Sequence, residues 1–464
     1  MRFSTISLAA AVSALLISGL TGSDAAPCDT AKCVFPACVC PSINPPKGMD
    51  PKTVPQFFTL TFDDAIQAAT VPVASGIMSP HRNPNKCPVK ATWFVQNLYS
   101  DYSMIQQWAA AGNEVADHTM NHIGTPPAEE IIGNRMAINA FAGVPFAKMN
   151  GFRTPFLNYT KATFDILAQE KFLYDSSTGA LPETAYWPYT LDYGVANDCW
   201  NGICDQNVVA PGMWEIPMHA IMDPAGMAYS MDPQLNGSPA DVGAWLKDNF
   251  NRHYQGTRQP FGIYLHPIHV GESTKMFNDF FAWAANQKDV WFVTNQQLLE
   301  WMKNPVPASQ LADQDYMKCN IAAVGKEICN GLDDTKAGSV DKGVLETCTF
   351  TSGAWSTCYG CPTENPTTAV PVPARAVAQG QTGYRTPVPA TCAMEWWDPV
   401  AAQCLCTNSN CTFTDESLSA PPTAPLPSPT GTPGNNKNAA VHLSGSWAGL
   451  GVVAAVAAGL AQLL

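Results

Sequence analysis

The sequence predicts an α/β protein: an irregular (β/α) barrel of seven or eight strands, with a small disulfide-rich cap before it and a cysteine-rich extension after it. Three observations predict it. Short apolar runs rich in β-branched and aromatic residues alternate with segments of helical period over residues 51–305, as expected of parallel strands joined by crossover helices. Acids, imidazoles and a guanidinium fall where those runs end, and a parallel barrel carries its chemistry at the C-terminal ends of its strands. Outside that stretch the periodicity is lost, and cysteine and proline take over.

In chain order, Arg2, an apolar run over 6–20 and small residues at Ser23, Ala25 and Ala26 predict a secretory signal peptide over 1–25. That places the chain in an oxidising compartment, so its 16 cysteines are expected to be mostly disulfides. Cys28, Cys33, Cys38 and Cys40, set among prolines, predict a stapled cap over 26–50, with zinc ligation as the sharper alternative. Residues 57–62 are apolar on both faces and predict a buried strand that ends in Asp63 and Asp64. Further strands are predicted at 91–95, 113–117, 149–153, 172–176, 213–217, 261–266 and 290–294. Helices are predicted between them, for example at 102–111, closed by Gly112, and at 160–170, with Thr160 as N-cap.

Two adjacent carboxylates at the end of a core strand raise each other's pKa and are costly to bury without a cation or donors. Partners for them follow downstream. Asp117-His118-Thr119-Met120-Asn121-His122 ends a later strand and sets two imidazoles four residues apart, on one face of a helical turn. One carboxylate and two neutral imidazoles form a suitable set of ligands for zinc or another divalent metal. Spacing alone leaves open which of the two aspartates binds it, because successive strand side chains diverge. Arg153, in Gly151-Phe152-Arg153-Thr154-Pro155-Phe156, can orient a carboxylate, and His266 ends another apolar strand as a candidate general acid.

The ordered motifs Thr-Phe-Asp-Asp, His-Thr-Met-Asn-His, Arg-Thr-Pro-Phe, Tyr-Asp-Ser-Ser and Leu-His resemble those of the polysaccharide deacetylases of carbohydrate esterase family four. The stretches Lys32 to Cys40, Trp187-Pro188-Tyr189-Thr190-Leu191, Asn249 to Tyr254 and Val290 to Thr294 resemble its chitin deacetylase branch. The likeness runs from about Cys28 to Pro305. It implies Asp63 as catalytic base, Asp64, His118 and His122 as metal ligands, Arg153 as the group orienting Asp63, and His266 as general acid. Asp175 is the implied acid that tunes His266, with Asp192 as rival. Pro155 and Phe156 are implied at the substrate, Phe156 through its backbone N–H in place of the family's more usual tyrosine. Trp214, with Tyr159, Trp187 and Tyr189, is a candidate for sugar stacking. The implied cofactor is a divalent metal, Zn2+ with Co2+ as alternative. The implied activity is removal of N-acetyl groups from chitin at the cell wall. A catalytically silent wall-binding protein and a deacetylase of peptidoglycan or xylan are the alternatives.

The formal net charge of −13 and the lack of clustered Lys and Arg exclude a nucleic-acid partner. A monomer is expected. Residues 306–415 predict a cysteine-rich module acting as a spacer, or binding polysaccharide through Trp396 and Trp397; residues 416–438 predict a Pro/Ser/Thr-rich stalk. The apolar run over 447–464 has no basic residue after it, so 439–464 predicts a GPI signal, with attachment at Asn438 and Gly434 or Ser444 as alternatives. Asn158, Asn236 and Asn410 open glycosylation sequons. If Cys199 pairs with Cys204, five cysteines remain before them and nine after, so full pairing requires a bond from the front of the chain to its tail.

Overall fold

The computed structural model describes residues 28–198, 208–319 and 345–375, with short pieces at 327–328, 339–340, 388, 392, 394, 397–398 and 403–404. The expected signal peptide, stalk, GPI segment, Asn410, Asn438, Trp396, Cys199 and Cys204 lie outside the described residues. Among the described residues no helix is long and apolar enough to cross a membrane.

Nine strands make the main sheet: β1 Gln56–Asp64, β2 Thr92–Val95, β3 Glu114–Asp117, β4 Gly151–Phe152, β5 Tyr174–Asp175, β6 Tyr189–Leu191, β7 Ala210–Glu215, β8 Phe261–Leu265 and β9 Val290–Val293. Their order is β8-β1-β2-β3-β4-β5-β7-β6, with β9 also on β1. Each predicted strand is present, although three of the nine are only two or three residues long. The sheet curls without closing, and β6 joins its edge antiparallel to β7. β1 is the axis of the arrangement: Gln56 to Thr59 pair with β9, and Thr61 to Asp64 pair with β2.

The period-two alternation of β1 divides the interior. Phe58, Leu60 and Phe62 enter one apolar cluster with α1 Val71–Met78 and α2 Tyr102–Ala110, whereas Phe57 enters another with Phe94, Tyr174 and Trp214. Thr59, Thr61 and Asp63 share the Phe57 face. Asp101 caps α2 by accepting from the N–H groups of Ser103 and Met104. α3 Ala128–Ala142 follows β3, and Thr160 starts α4 Lys161–Gln169 with a capping box to Thr163.

The cap is made of disulfides, Cys28–Cys40 and Cys33–Cys38. It covers the edge strand β6: the Thr190 N–H donates to the Val39 carbonyl (3.0 Å), and the Trp187 N–H donates to that of Ser42 (2.9 Å). Cys87 pairs with Cys319 across 232 residues, the front-to-tail bond that cysteine parity required. Replacing both by serine should cost about 2–5 kcal/mol, as expected for opening so long a loop. Urea melts of the variant and parent check this, and equal midpoints would count against it.

The described part of the extension packs on the barrel and does not stand off as a spacer. Strands β10 Glu346–Phe350 and β11 Gly353–Thr357 form a hairpin held by Cys348–Cys361. Trp355 meets Tyr102 of α2 at 4.5 Å and Phe141 of α3 at 5.4 Å between ring centroids. The Ser356 N–H donates to Asp101 (2.9 Å), and the Thr357 hydroxyl donates to the Phe141 carbonyl (2.5 Å). Gly143 ends α3 with φ +70°, and a Cβ there would come within 1.9 Å of the Tyr359 hydroxyl. Trp397 is only 6% exposed, so it has little surface to offer a polysaccharide.

Candidate active site

The inward face of β1 ends at Asp63, which is 1% exposed. Arg153, just beyond β4 and fully buried, donates from Nη1 to Asp63 Oδ1 (2.6 Å) and to Thr61 Oγ1 (2.8 Å). Its Nε donates to the Ser176 carbonyl (2.7 Å), and its guanidinium lies 4.0 Å from the centre of the Phe94 ring. Every side of the cation is thus engaged, which is what a buried ion pair needs to persist.

Asp64 leaves the strand direction with φ +81°, a left-handed conformation rare for a residue other than glycine. That turn sends the second carboxylate to the mouth. Its Oδ1 lies 3.1 Å from His122 Nε2 and 3.7 Å from His118 Nε2. Buried as it is, Oδ1 meets no donor at hydrogen-bonding geometry. His118 follows β3 and donates from Nδ1 to the Arg153 carbonyl (2.7 Å), which fixes the tautomer and leaves Nε2 with its lone pair. Burial lowers the His118 pKa to about 4 despite the pull of Asp63 and Asp64, so the ring is neutral at pH 7. For Asp64, burial acts upward but is outweighed by His122 and the charges of His118 and His266, and the carboxyl is held at about 2. An ionised carboxylate with an orphaned oxygen, facing the lone pair of His118 Nε2 with His122 Nε2 beside it, is a set that a divalent cation satisfies.

Asp232, His266 and His269 repeat that residue set with the opposite hydrogen-bond status. Asp232 Oδ2 accepts from Nδ1 of His266 (2.5 Å) and of His269 (3.1 Å), and its Oδ1 accepts the His266 N–H (3.0 Å). Here the carboxylate is already satisfied by donors, so the cluster holds protons. Burial acts to lower the His266 pKa, but the Asp232 hydrogen bond and charge prevail, with Asp63 and Asp64 adding to them, and raise it to about 9. His266 Nε2 is 4.0 Å from Asp64 Oδ2, at the mouth of a cavity of about 160 Å³.

Three expectations are corrected. Asp175 does not hold His266: its oxygens accept from the Ser177 N–H and hydroxyl (both 2.8 Å), and Ser177 Oγ in turn accepts the Thr154 N–H (2.8 Å). It braces the loop before Pro155 and Phe156, and burial raises its pKa to about 6 beside Glu215, its neighbour across the sheet. The rival Asp192 accepts from the Gly212 N–H instead (3.2 Å). The partner of His266 is Asp232, which sits in an irregular segment with φ +47° and ends no strand of the main sheet, so a search of strand ends passes it by. Its signal in the sequence is Asp-Pro, a turn-initiating pair. Trp214 is 3% exposed and belongs to the core, as do Tyr159, Trp187 and Tyr189. Pro155 is buried, whereas Phe156 is 74% exposed, with φ +58°, and its ring meets His122 at 4.6 Å.

The family model described as Polysaccharide deacetylase matches residues 50–174, the stretch that holds Asp63, Asp64, His118, His122 and Arg153. "Chitin deacetylase 8" of Bombyx mori is 32% identical over 327 residues, which cover 65% of this chain and 85% of that protein. The chain belongs to the polysaccharide deacetylase family. "Chitin deacetylase 1" of the same organism is 27% identical over 310 residues, 61% of this chain and 58% of its own length. Within the family the chain falls in the chitin deacetylase branch. Polysaccharide deacetylases depend on a divalent metal, and Asp64, His118 and His122 are the residues here that fit one, their ligand atoms lying within 4.8 Å of one another.

Proposed function

We propose that this chain is a secreted, GPI-anchored chitin deacetylase of the cell wall that uses zinc and cleaves N-acetyl groups to free amine and acetate. The observation that carries the reading is the meeting, at one mouth, of an orphaned carboxylate with two imidazoles, a second carboxylate clamped by Arg153, and a protonated imidazole held by Asp232. Asp64, His118 and His122 would hold the zinc, which would supply Lewis acidity to acidify water and polarise the acetamide carbonyl. Asp63 takes the proton of the attacking water through the oxygen that Arg153 leaves free. The backbone N–H of Phe156 donates to the oxygen that gains charge. His266 delivers its Nε2 proton to the departing sugar nitrogen, so that the C–N bond breaks to amine and acetate, and Asp232 keeps that imidazole charged and aligned.

The proposed arrangement of the remaining chain is a signal peptide over 1–25, a cap over 26–50, the catalytic barrel over 51–305, the cysteine-rich module over 306–415, a stalk over 416–438 and a GPI signal over 439–464, with Asn438 as attachment site. Asn158, Asn236 and Asn410 are proposed glycan acceptors, and the first two are exposed.

Acetate release by the purified protein tests the reading, with chitin oligomers, peptidoglycan and acetylated xylan as parallel substrates. Release from the chitin oligomers that stops with a chelator and returns with zinc is expected. No release from any of the three would leave a binding protein. Asp232→Asn should also move the alkaline limb of the kcat profile to lower pH. A general acid acts only while protonated, and removing the carboxylate lowers the pKa of His266, so activity is lost earlier as pH rises. An unmoved limb would show that another group donates the proton.

A further inference from the structure

Strand β2 leads into α2 through a turn in which the Ser100 N–H donates to the Asn97 carbonyl (3.0 Å). Tyr99 occupies the third position of this turn with φ +67°, a place that favours glycine or asparagine. Bulky residues are held in such a conformation only where the surroundings over-determine the backbone, and they concentrate at functional sites. The surroundings do so here. The Leu98 N–H donates to the Met120 carbonyl (2.9 Å), and Ser100 Oγ donates to the Gln96 carbonyl (2.6 Å) and accepts the Ile66 N–H (3.0 Å). The Tyr99 ring nonetheless stays 69% exposed, although Trp93 and Tyr102 nearby are buried.

A second observation comes from Gln96. It is only 7% exposed; its Nε2 donates to the Leu98 carbonyl (3.0 Å), and its buried Oε1 has no hydrogen-bond partner. A buried acceptor without a donor is costly unless a ligand supplies one. Gln96, Tyr99 and Ile268, the last 60% exposed, line the same cavity as Asp63, Asp64 and His266.

We propose that this turn is a sugar subsite, in which the Tyr99 ring carries the pyranose next to the one being deacetylated and Gln96 Oε1 accepts a hydrogen bond from its hydroxyl or amide N–H. The proposal rests on the chitin deacetylase reading and adds to it the residues that select a polymer over a single sugar. A pyranose with equatorial substituents offers a C–H face that packs on an aromatic ring, and its polar edge supplies the donor that Gln96 lacks. Ile268 adds exposed apolar surface to the lining of the same cavity.

The test is the affinity of the zinc-loaded full chain for chitotetraose, measured by calorimetry with turnover blocked by Asp63→Asn, or as KM in the active parent if that variant does not fold. Tyr99→Ala should weaken binding about tenfold, and Gln96→Leu several-fold, whereas Tyr99→Trp should stay within about threefold of the parent. Tyr99→Gly separates binding from structure: relief of the left-handed strain should raise the Tm by about a degree or more while affinity falls as for alanine. A merely structural tyrosine would do the reverse, lowering the Tm and leaving affinity unchanged, and would overturn the proposal. Acetate release by the parent with unchanged affinity in Tyr99→Ala overturns the subsite and leaves the activity standing. A tenfold loss in a protein that releases no acetate keeps the subsite and overturns the activity. A parent that neither binds chitotetraose nor releases acetate overturns both.

Discussion

Replacing Asp63 by asparagine is expected to leave zinc bound and to reduce kcat by a factor of about 10² to 10⁴, the range lost with a general acid or base. The two neighbouring aspartates face different partners because β1 alternates up to Asp63 and then breaks direction at Asp64. Asp63 continues the inward series Phe57, Thr59, Thr61 and meets Arg153, while Asp64, with φ +81°, turns to the two imidazoles. Stability should fall as well. Removing one partner of a buried ion pair costs about 3–5 kcal/mol. Arg153 keeps its bonds to Thr61 and Ser176 and its place against Phe94, so a loss near the lower end is expected. Zinc content, acetate release and urea melts on one preparation check the three parts. Loss of zinc in Asp63→Asn, together with retention of zinc and activity in Asp64→Asn, would reverse the two assignments.

His118→Ala should empty the metal site. The ring is buried, neutral at pH 7 with its pKa at about 4, and fixed by the Arg153 carbonyl so that Nε2 faces Asp64. Loss of a group that merely supports a ligand costs 10- to 100-fold in metal affinity, so losing the ligand itself should exceed about 100-fold. Activity should then fall to background and return little when zinc is added in modest excess. His122→Ala should behave alike. His266→Ala should keep zinc at the parent's content and lose turnover, because His266 bonds to Asp232. Zinc bound in His118→Ala at parental affinity would remove this residue from the ligand set.

Much of the site was legible from chemistry placed at strand ends. Asp63, Asp64, His118, His122, Arg153 and His266 are all found at one mouth because parallel strands deliver their C-terminal ends to the same side of the sheet. Apolar runs predicted the strands that position them, since burial on both faces is written directly into residue type. Asp232 was not legible in this way. Its place depends on a left-handed residue in an irregular segment 34 positions before His266, and no period marks such a residue. Trp214 failed for the converse reason. An aromatic on a strand has the same appearance in a sequence whether it faces a groove or a core, and only the packing of β7 against β5 decided for the core.

The sequence by itself determined the α/β class, the strands that carry the site, the set of reactive side chains and, by cysteine parity, the need for a front-to-tail disulfide. These follow from local pattern and from counting. The tertiary structure alone decided which carboxylate faces the imidazoles, which acid holds His266, which cysteines make the long bond, and that the tail hairpin lies on α2 and α3. Each of these is a contact between segments far apart in the chain, set by backbone turns and side-chain packing that residue order does not encode locally.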